Sequence, residues 1–114
     1  MISAILITKN EEHNIRACLE SISWVDEIIV VDSGSSDATV NICKEFGCLV
    51  QETDWPGFGP QKNRALALAT NPWVLSIDAD ERVTPELHDE IQSQIQSEPQ
   101  QNGFDIPRSS NFCG

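Results

Sequence analysis

Asp78 and Asp80 stand two residues apart, directly behind the apolar run Trp73 to Ile77. In extended chain, residues at that spacing project to the same side. Two carboxylates so close repel, and one would take up a proton unless a cation sat between them. A hard divalent cation with oxygen ligands resolves the conflict. Mg²⁺ or Mn²⁺ is held by one or two carboxylates, with the phosphate oxygens of a ligand completing the shell. The alternative is a pair of solvated turn residues, with Asp80 helping to start the next helix. The position directly after a strand favours the metal.

Asp32 ends a second apolar run, Asp26 to Asp32, just before the turn Ser33-Gly34-Ser35-Ser36. It either accepts hydrogen bonds from a base or ribose, or caps the turn through its own backbone. The residues leave both readings open. Asp37 fits a helix N-cap and is assigned to structure. Lys9, Lys62, Arg64 and Arg82 are four of the seven basic residues. All four fall at or near one loop edge, a first hint of an anionic ligand. Lys62 and Arg64, taken alone, read as solvated charges on a helix. His13 and His88 have no partner at ligand spacing. Trp24, Trp55 and Trp73 read as packing residues. Trp55, inside the Gly/Pro loop Thr53 to Pro60, is the one that merits a test.

These residues need elements to position them. Ile2 to Thr8 is a nearly continuous apolar run, the signature of a strand buried on both faces. Asn10 is expected to cap a helix, with Glu11 and Glu12 in its first turn. Ile15, Cys18, Leu19 and Ile22 then form one helix face. Asp26 to Asp32 is a second strand. Asp37 opens a helix to Phe46, and Gly47 is its natural C′ stop. Cys48 to Gln51 is a short third strand, and Thr53 to Pro60 is a loop. Gln61 to Ala69 is expected to be helical, ending at Asn71-Pro72. Trp73 to Ile77 is a fourth strand. Thr84-Pro85-Glu86 is a strong helix start, with Leu87, Ile91 and Ile95 as its narrow buried stripe. Pro99 to Asn102 is a polar break, and Gly103 to Pro107 is expected to form a last edge strand. Alternating strands and helices specify an α/β fold, a mostly parallel sheet with helices on both faces. Ligands in such sheets sit at the carboxyl ends of the strands.

The composition fits one nucleotide-binding unit over residues 1–114. A chain of 114 residues buries roughly two-thirds of its unfolded surface. Apolar residues are 39% and charged residues 22%, which excludes a disordered tail or a membrane protein. There are 18 Asp and Glu against 7 Lys and Arg, a net charge of −11. That argues against nucleic acid or an anionic bilayer as partner. No apolar run is long enough to span a bilayer. The N-terminus lacks a basic leader and is expected not to be a signal peptide. None of Cys18, Cys43, Cys48 and Cys113 forms a Cys-x-x-Cys pair, so no zinc site or redox motif is expected. Cys18 and Cys43 read as small buried hydrophobes of a cytoplasmic protein.

The segments ITKNEE (Ile7 to Glu12), VVDSGSSDAT (Val30 to Thr39), KNRALALA (Lys62 to Ala69) and SIDADE (Ser76 to Glu81) resemble the successive motifs of family 2 inverting glycosyltransferases. The wording DSGSSD, PQKNRAL and DADERV is similar to the lipopolysaccharide-core glucosyltransferase branch. The resemblance implies a GT-A fold that binds a UDP-sugar donor. It implies that Asp32 contacts the uracil, with Thr8, Asn10, Glu11 and Ser33 beside the nucleoside. Asp78 and Asp80 match the D-x-D motif, the first near the ribose and the second on a divalent cation. Lys62 and Asn63 match a basic segment close to the nucleotide sugar.

The implied reaction passes a hexose such as glucose to a saccharide or lipid-linked saccharide acceptor, with inversion. Members of this family are commonly about twice this length, with the catalytic base in the second half. No base is assigned within the chain; it is expected beyond Gly114. The chain is accordingly expected to be a donor-binding portion truncated at its C-terminus. Such a portion binds donor but turns over little. The full-length protein would then meet a lipid-linked acceptor at the cytoplasmic face of the inner membrane. A rival reading is a non-catalytic nucleotide-sugar module that self-associates through its uncovered half. A weaker rival takes Asp78-Ala79-Asp80 as the nucleophile and acid of a haloacid-dehalogenase-type phosphatase, without the downstream Lys and acid that such an enzyme needs.

Overall fold

A computed structural model describes residues 2–71 and 73–97. In chain order the elements are β1 (Ile2–Thr8), α1 (Ile15–Ser21), β2 (Glu27–Asp32), α2 (Thr39–Glu45), β3 (Leu49–Glu52), α3 (Phe58–Leu68), β4 (Trp73–Ser76) and α4 (Pro85–Ser97). The four strands form one parallel sheet in the order β3-β2-β1-β4. The expected α/β architecture is the one observed.

β1 is central, and its composition follows from that position. Alternate side chains of a strand face opposite sides of the sheet. Ile2, Ala4 and Leu6 join Val30 and Leu75 on one face, under α1, α2 and α4. Ile15, Cys18, Leu19 and Ile22 cover this face from α1, Ile42 and Cys43 from α2, and Leu87 and Ile91 from α4. Ile5, Ile29 and Val31 point the other way, against Ala65 of α3. Both faces are therefore dry, which is why β1 and β2 read as continuous apolar runs. Cys18 and Cys43 are buried, as expected, and among the described residues neither forms a disulfide.

The register aligns the strand ends that matter. Thr8 lies opposite Asp32, and Asp32 opposite Glu52. β4 pairs with the first half of β1, Ser76 lying opposite Ile5. The Ile77 amide adds one more bond, 3.2 Å to the Ile5 carbonyl. The chain thus leaves β4 beside the carboxyl end of β1.

Several boundaries differ from the sequence expectation, each for a physical reason. α1 begins at Ile15 and not after Asn10, because Asn10 is drawn into a left-handed conformation (φ 53°) and bonds elsewhere. α2 begins at Thr39, two residues after Asp37. The Asp37 carboxylate still serves the helix end, accepting the Thr39 amide at 3.0 Å. α3 begins at Phe58 and so includes Gly59 and Pro60. A proline in the first turn is harmless, because amides there have no intrahelical acceptor. Thr84 caps α4 as expected, its hydroxyl accepting the Leu87 amide at 3.1 Å. The Ile95 side chain, the segments Pro99 to Asn102 and Gly103 to Pro107, and Cys113 lie outside the described residues. So does Gly114, beyond which the catalytic base is expected; the truncation expected there is not addressed by residues 2–97.

α2 ends as expected at Gly47 (φ 76°). The Gly47 amide bonds the Lys44 carbonyl at 3.0 Å and the Cys48 amide bonds the Cys43 carbonyl at 3.1 Å. This pair of bonds is the Schellman closure, which needs a left-handed residue at C′. A Cβ at Gly47 would meet nothing within 4 Å, so any cost of adding one is backbone strain alone. Gly47→Ala is expected to lower stability by about 1 kcal/mol, and Gly47→Asn by less, since Asn tolerates this conformation. Urea denaturation midpoints check this, and an Asn variant weaker than the Ala variant would contradict it.

Candidate functional site

The site is built on one buried carboxylate. Asp32 is 0% exposed. One of its oxygens accepts the Thr8 hydroxyl at 2.7 Å and the Ser35 hydroxyl at 2.6 Å. The other accepts the Gly34 amide at 3.0 Å and the Ser35 amide at 2.7 Å. Of the two readings left open by the sequence, the turn-capping one is realised, with Gly34 at φ 94° inside the turn.

Around this knot the β1–α1 and β2–α2 loops are stitched together. The Asn10 amide donates to the Ser35 hydroxyl and the Ser36 amide to the Asn10 side-chain oxygen, each at 2.8 Å. The Glu11 amide donates to the Thr39 hydroxyl at 2.8 Å, and the Ala38 amide to the Glu12 carboxylate at 2.9 Å. Asn10, expected as a helix cap, is instead a cross-loop strut.

A cavity of about 420 Å³ opens at the carboxyl ends of the strands. Ile7, Thr8, Lys9 and Glu11 line it from β1 and the loop that follows, and Ser33 from the end of β2. Trp55 of the β3–α3 connection and Phe58 at the start of α3 form a wall, and Asp78, Ala79 and Asp80 another after β4. The chain runs outward from β1 through β2 to β3, then returns to β4 on the other side of β1. The crevice between β1 and β4 is therefore the topological switch point, where open α/β sheets bind ligands.

Asp78 and Asp80 do reach one cavity, but not by the extended geometry expected of them. β4 ends at Ser76. The next residues turn, the Glu81 amide bonding the Asp78 carbonyl at 3.0 Å. The Glu81 carboxylate accepts the Asp78 amide at 2.9 Å and closes the turn from the side chain. Ala79, 3% exposed, plugs this turn into the core.

The aromatic wall is held from beneath by Gln61, which is 0% exposed. Its amide nitrogen donates to the Ser33 hydroxyl at 2.9 Å and to the Asp54 carbonyl at 3.0 Å. Arg64 donates to the Gln61 side-chain oxygen at 3.0 Å, and to the Thr53 hydroxyl and the Asp54 carboxylate at 2.7 Å each. The Arg64 guanidinium holds the Asp54 carboxyl below its ordinary range. Arg64 thus braces the loop.

Of the candidate residues, Thr8, Glu11, Ser33, Asp78 and Asp80 are brought together at the cavity; Asn10, Asp32, Lys62 and Asn63 are not among its lining. Gln61 is not singled out by its sequence context. The one available signal is its i, i+4 spacing to Ala65, which places it on the buried face of α3.

Asp32→Asn keeps the shape but sets an NH₂ against groups that are themselves donors. A loss of about 3 kcal/mol is expected, read as a fall in the urea midpoint. An unchanged midpoint would show that the knot is not holding the loops.

Comparison with known proteins assigns this arrangement to a family. Residues 3–110 match the model for glycosyl transferase family 2. A glycosyltransferase of Rickettsia felis is 48% identical over 92 residues, covering 80% of this chain and 32% of its own length. The lipopolysaccharide core biosynthesis glycosyltransferase LpsC of Rhizobium meliloti is 31% identical over 118 residues, covering 99% of this chain and 44% of its own. Among solved structures, S. aureus TarS 1-349 superposes with a TM-score of 0.75 at 28% identity, over 86% of this chain and 33% of that one. Glucosyl-3-phosphoglycerate synthase of Mycobacterium tuberculosis, crystallised with Mn²⁺, UDP and glucosyl-3-phosphoglycerate, superposes with a TM-score of 0.63 at 33% identity, over 72% of this chain and 35% of that one. The chain spans about a third of the length of the Rickettsia relatives it matches. The parallel sheet, the crevice at its switch point and the match across nearly the whole sequence place the chain in glycosyl transferase family 2.

Proposed function

We propose that this chain binds the donor, a nucleotide-diphosphate sugar, for a glycosyltransferase whose whole length exceeds it. The observation that carries this reading is the meeting of Asp78 and Asp80 with Thr8, Lys9, Glu11 and Ser33 in one crevice at the switch point. The synthase crystallised with Mn²⁺ and UDP supports a UDP-linked donor and a divalent cation. LpsC supports a saccharide acceptor of the lipopolysaccharide-core kind.

The donor set fits such a cation. Two carboxylates converge on the crevice, and among the described residues no third His, Cys, Asp or Glu joins them as a ready-made cage. Mg²⁺ and Mn²⁺ suit that arrangement, because they take one or two carboxylates and leave positions for phosphate oxygens. When bound, the cation would neutralise charge on the leaving diphosphate. Asp80 is the residue we assign to it, with Asp78 beside it near the ribose. Thr8, Glu11 and Ser33 flank the nucleoside. Asn10 and Asp32 hold these groups in place from behind. Lys62 and Asn63 follow about one helical turn after Phe58 in α3 and supply a basic flank.

Transfer by the whole protein would then be a single displacement at the anomeric carbon, with inversion. A general base would take the proton of the acceptor hydroxyl. We place that base beyond Gly114, in the part that the relatives have and this chain does not span. The reaction is assigned to the cytoplasm, at the inner membrane face when the acceptor is lipid-linked. Among the described residues no helix is long and apolar enough to cross a membrane.

Calorimetry with UDP, with and without Mn²⁺, tests the assignment. Binding is expected to depend on the metal and to weaken at least tenfold in Asp80→Ala, about 1.4 kcal/mol. Equal affinity with and without Mn²⁺ would refute the role given to Asp80.

A further inference from the structure

Trp55 and Phe58 are two of the largest apolar side chains left in water, 52% and 50% exposed. Both line the crevice that holds Asp78 and Asp80. Neither aromatic is needed to close the core on either face of the sheet. Their loop is nevertheless firmly built. Gly57, at φ 120°, supplies a conformation that other residues rarely adopt. Gln61 ties the Asp54 carbonyl to Ser33 at the end of β2, and Arg64 clamps Thr53 and Asp54. An exposed aromatic on a braced loop, facing into a crevice, marks a binding surface.

The two ends of the crevice differ in character. Its acidic end lies beyond β4, and its aromatic end lies beyond β2 and β3, with Lys9 and Glu11 between them. A nucleotide-diphosphate sugar has a matching polarity. Its diphosphate belongs with the cation at the acidic end. Its flat, weakly polar nucleobase suits the aromatic end. A hexose, ringed by hydroxyls, calls for several hydrogen-bonding groups, of which Trp55 supplies one indole N–H and Phe58 none. The residue otherwise expected to meet the base, Asp32, is sealed behind the turn with both oxygens engaged.

We propose that Trp55 is a stacking platform for the nucleobase of the donor. This rests on the donor-binding reading above. Stacking carries little base identity, because every base presents a π-face. Trp55 therefore contributes affinity, and selection among bases falls to polar groups nearby.

The test is calorimetry in Mn²⁺ on the 114-residue chain and its Trp55→Ala and Trp55→Phe variants, with UDP, UDP-glucose and inorganic pyrophosphate as probes. Trp55→Ala is expected to weaken UDP and UDP-glucose alike, by about tenfold. Pyrophosphate affinity should not move, and Trp55→Phe should retain most of the binding. A loss for UDP-glucose alone would place the hexose on Trp55 and overturn the proposal. A matching loss for pyrophosphate would show that Trp55 acts only by shaping the loop, which also overturns it. If the unaltered chain binds pyrophosphate but not UDP, the nucleobase platform fails. If it binds none of the three, the donor-binding reading itself fails and takes the platform with it.

Discussion

The site depends on a negative group placed where water cannot reach it. Burying a carboxylate is costly unless its oxygens are fully bonded. Asp32 meets that condition with two hydroxyls and two amides drawn from Thr8, Gly34 and Ser35. The requirement works in both directions. Asp32 can be buried only if the β1 end and the β2 turn adopt one geometry, and that geometry leaves Thr8 and Ser33 on the crevice wall. Asn10, Glu12, Asp37 and Thr39 extend the stitching outward by the same means, a side chain of one loop bonding a backbone amide of the other. Among the described residues no fully buried side-chain nitrogen or oxygen lacks a partner.

Topology supplies the rest. With β1 at the centre and the chain turning back past it to β4, two loop systems face each other across a gap that no connection fills. Side chains alone decide what the gap holds. On one flank they are acids carried by a tight turn, and on the other they are aromatics on a braced loop.

The order and type of the elements are legible in the sequence because strands buried on both faces read as apolar runs, and because Gly47 and Thr84 punctuate the helices. That Asp78 and Asp80 reach one cavity follows from their place just behind a strand, although a turn and not extended chain carries them there. The expectation for Asn10 fails for a definite reason. Local capping chemistry loses to a partner 26 residues away, the Ser36 amide. Gln61 escapes notice because what matters about it is long-range, its hydroxyl partner lying 28 residues back in the chain. Arg64 reads as a solvated charge, yet Asp54 holds it. Asp32 is readable as important but not as buried. Nothing in DEIIVVD distinguishes a carboxylate facing a ligand from one facing its own turn.

The charge balance of the crevice constrains what can approach it. Its lining carries one ammonium, Lys9, against the three carboxylates of Glu11, Asp78 and Asp80. A bare diphosphate approaching that surface is repelled, and Arg64, committed to Asp54, offers little relief. On the donor-binding reading proposed above, a divalent cation held there would cancel the charge of Asp78 and Asp80 before any phosphate arrived. Arrival of a donor would then be sequential, metal first or metal already carried on the nucleotide, and release would run under the same constraint. On that reading an acid-lined entrance in a chain of net charge −11 would act as a turnstile. It would hold back free anions and admit those that come with their own counter-charge.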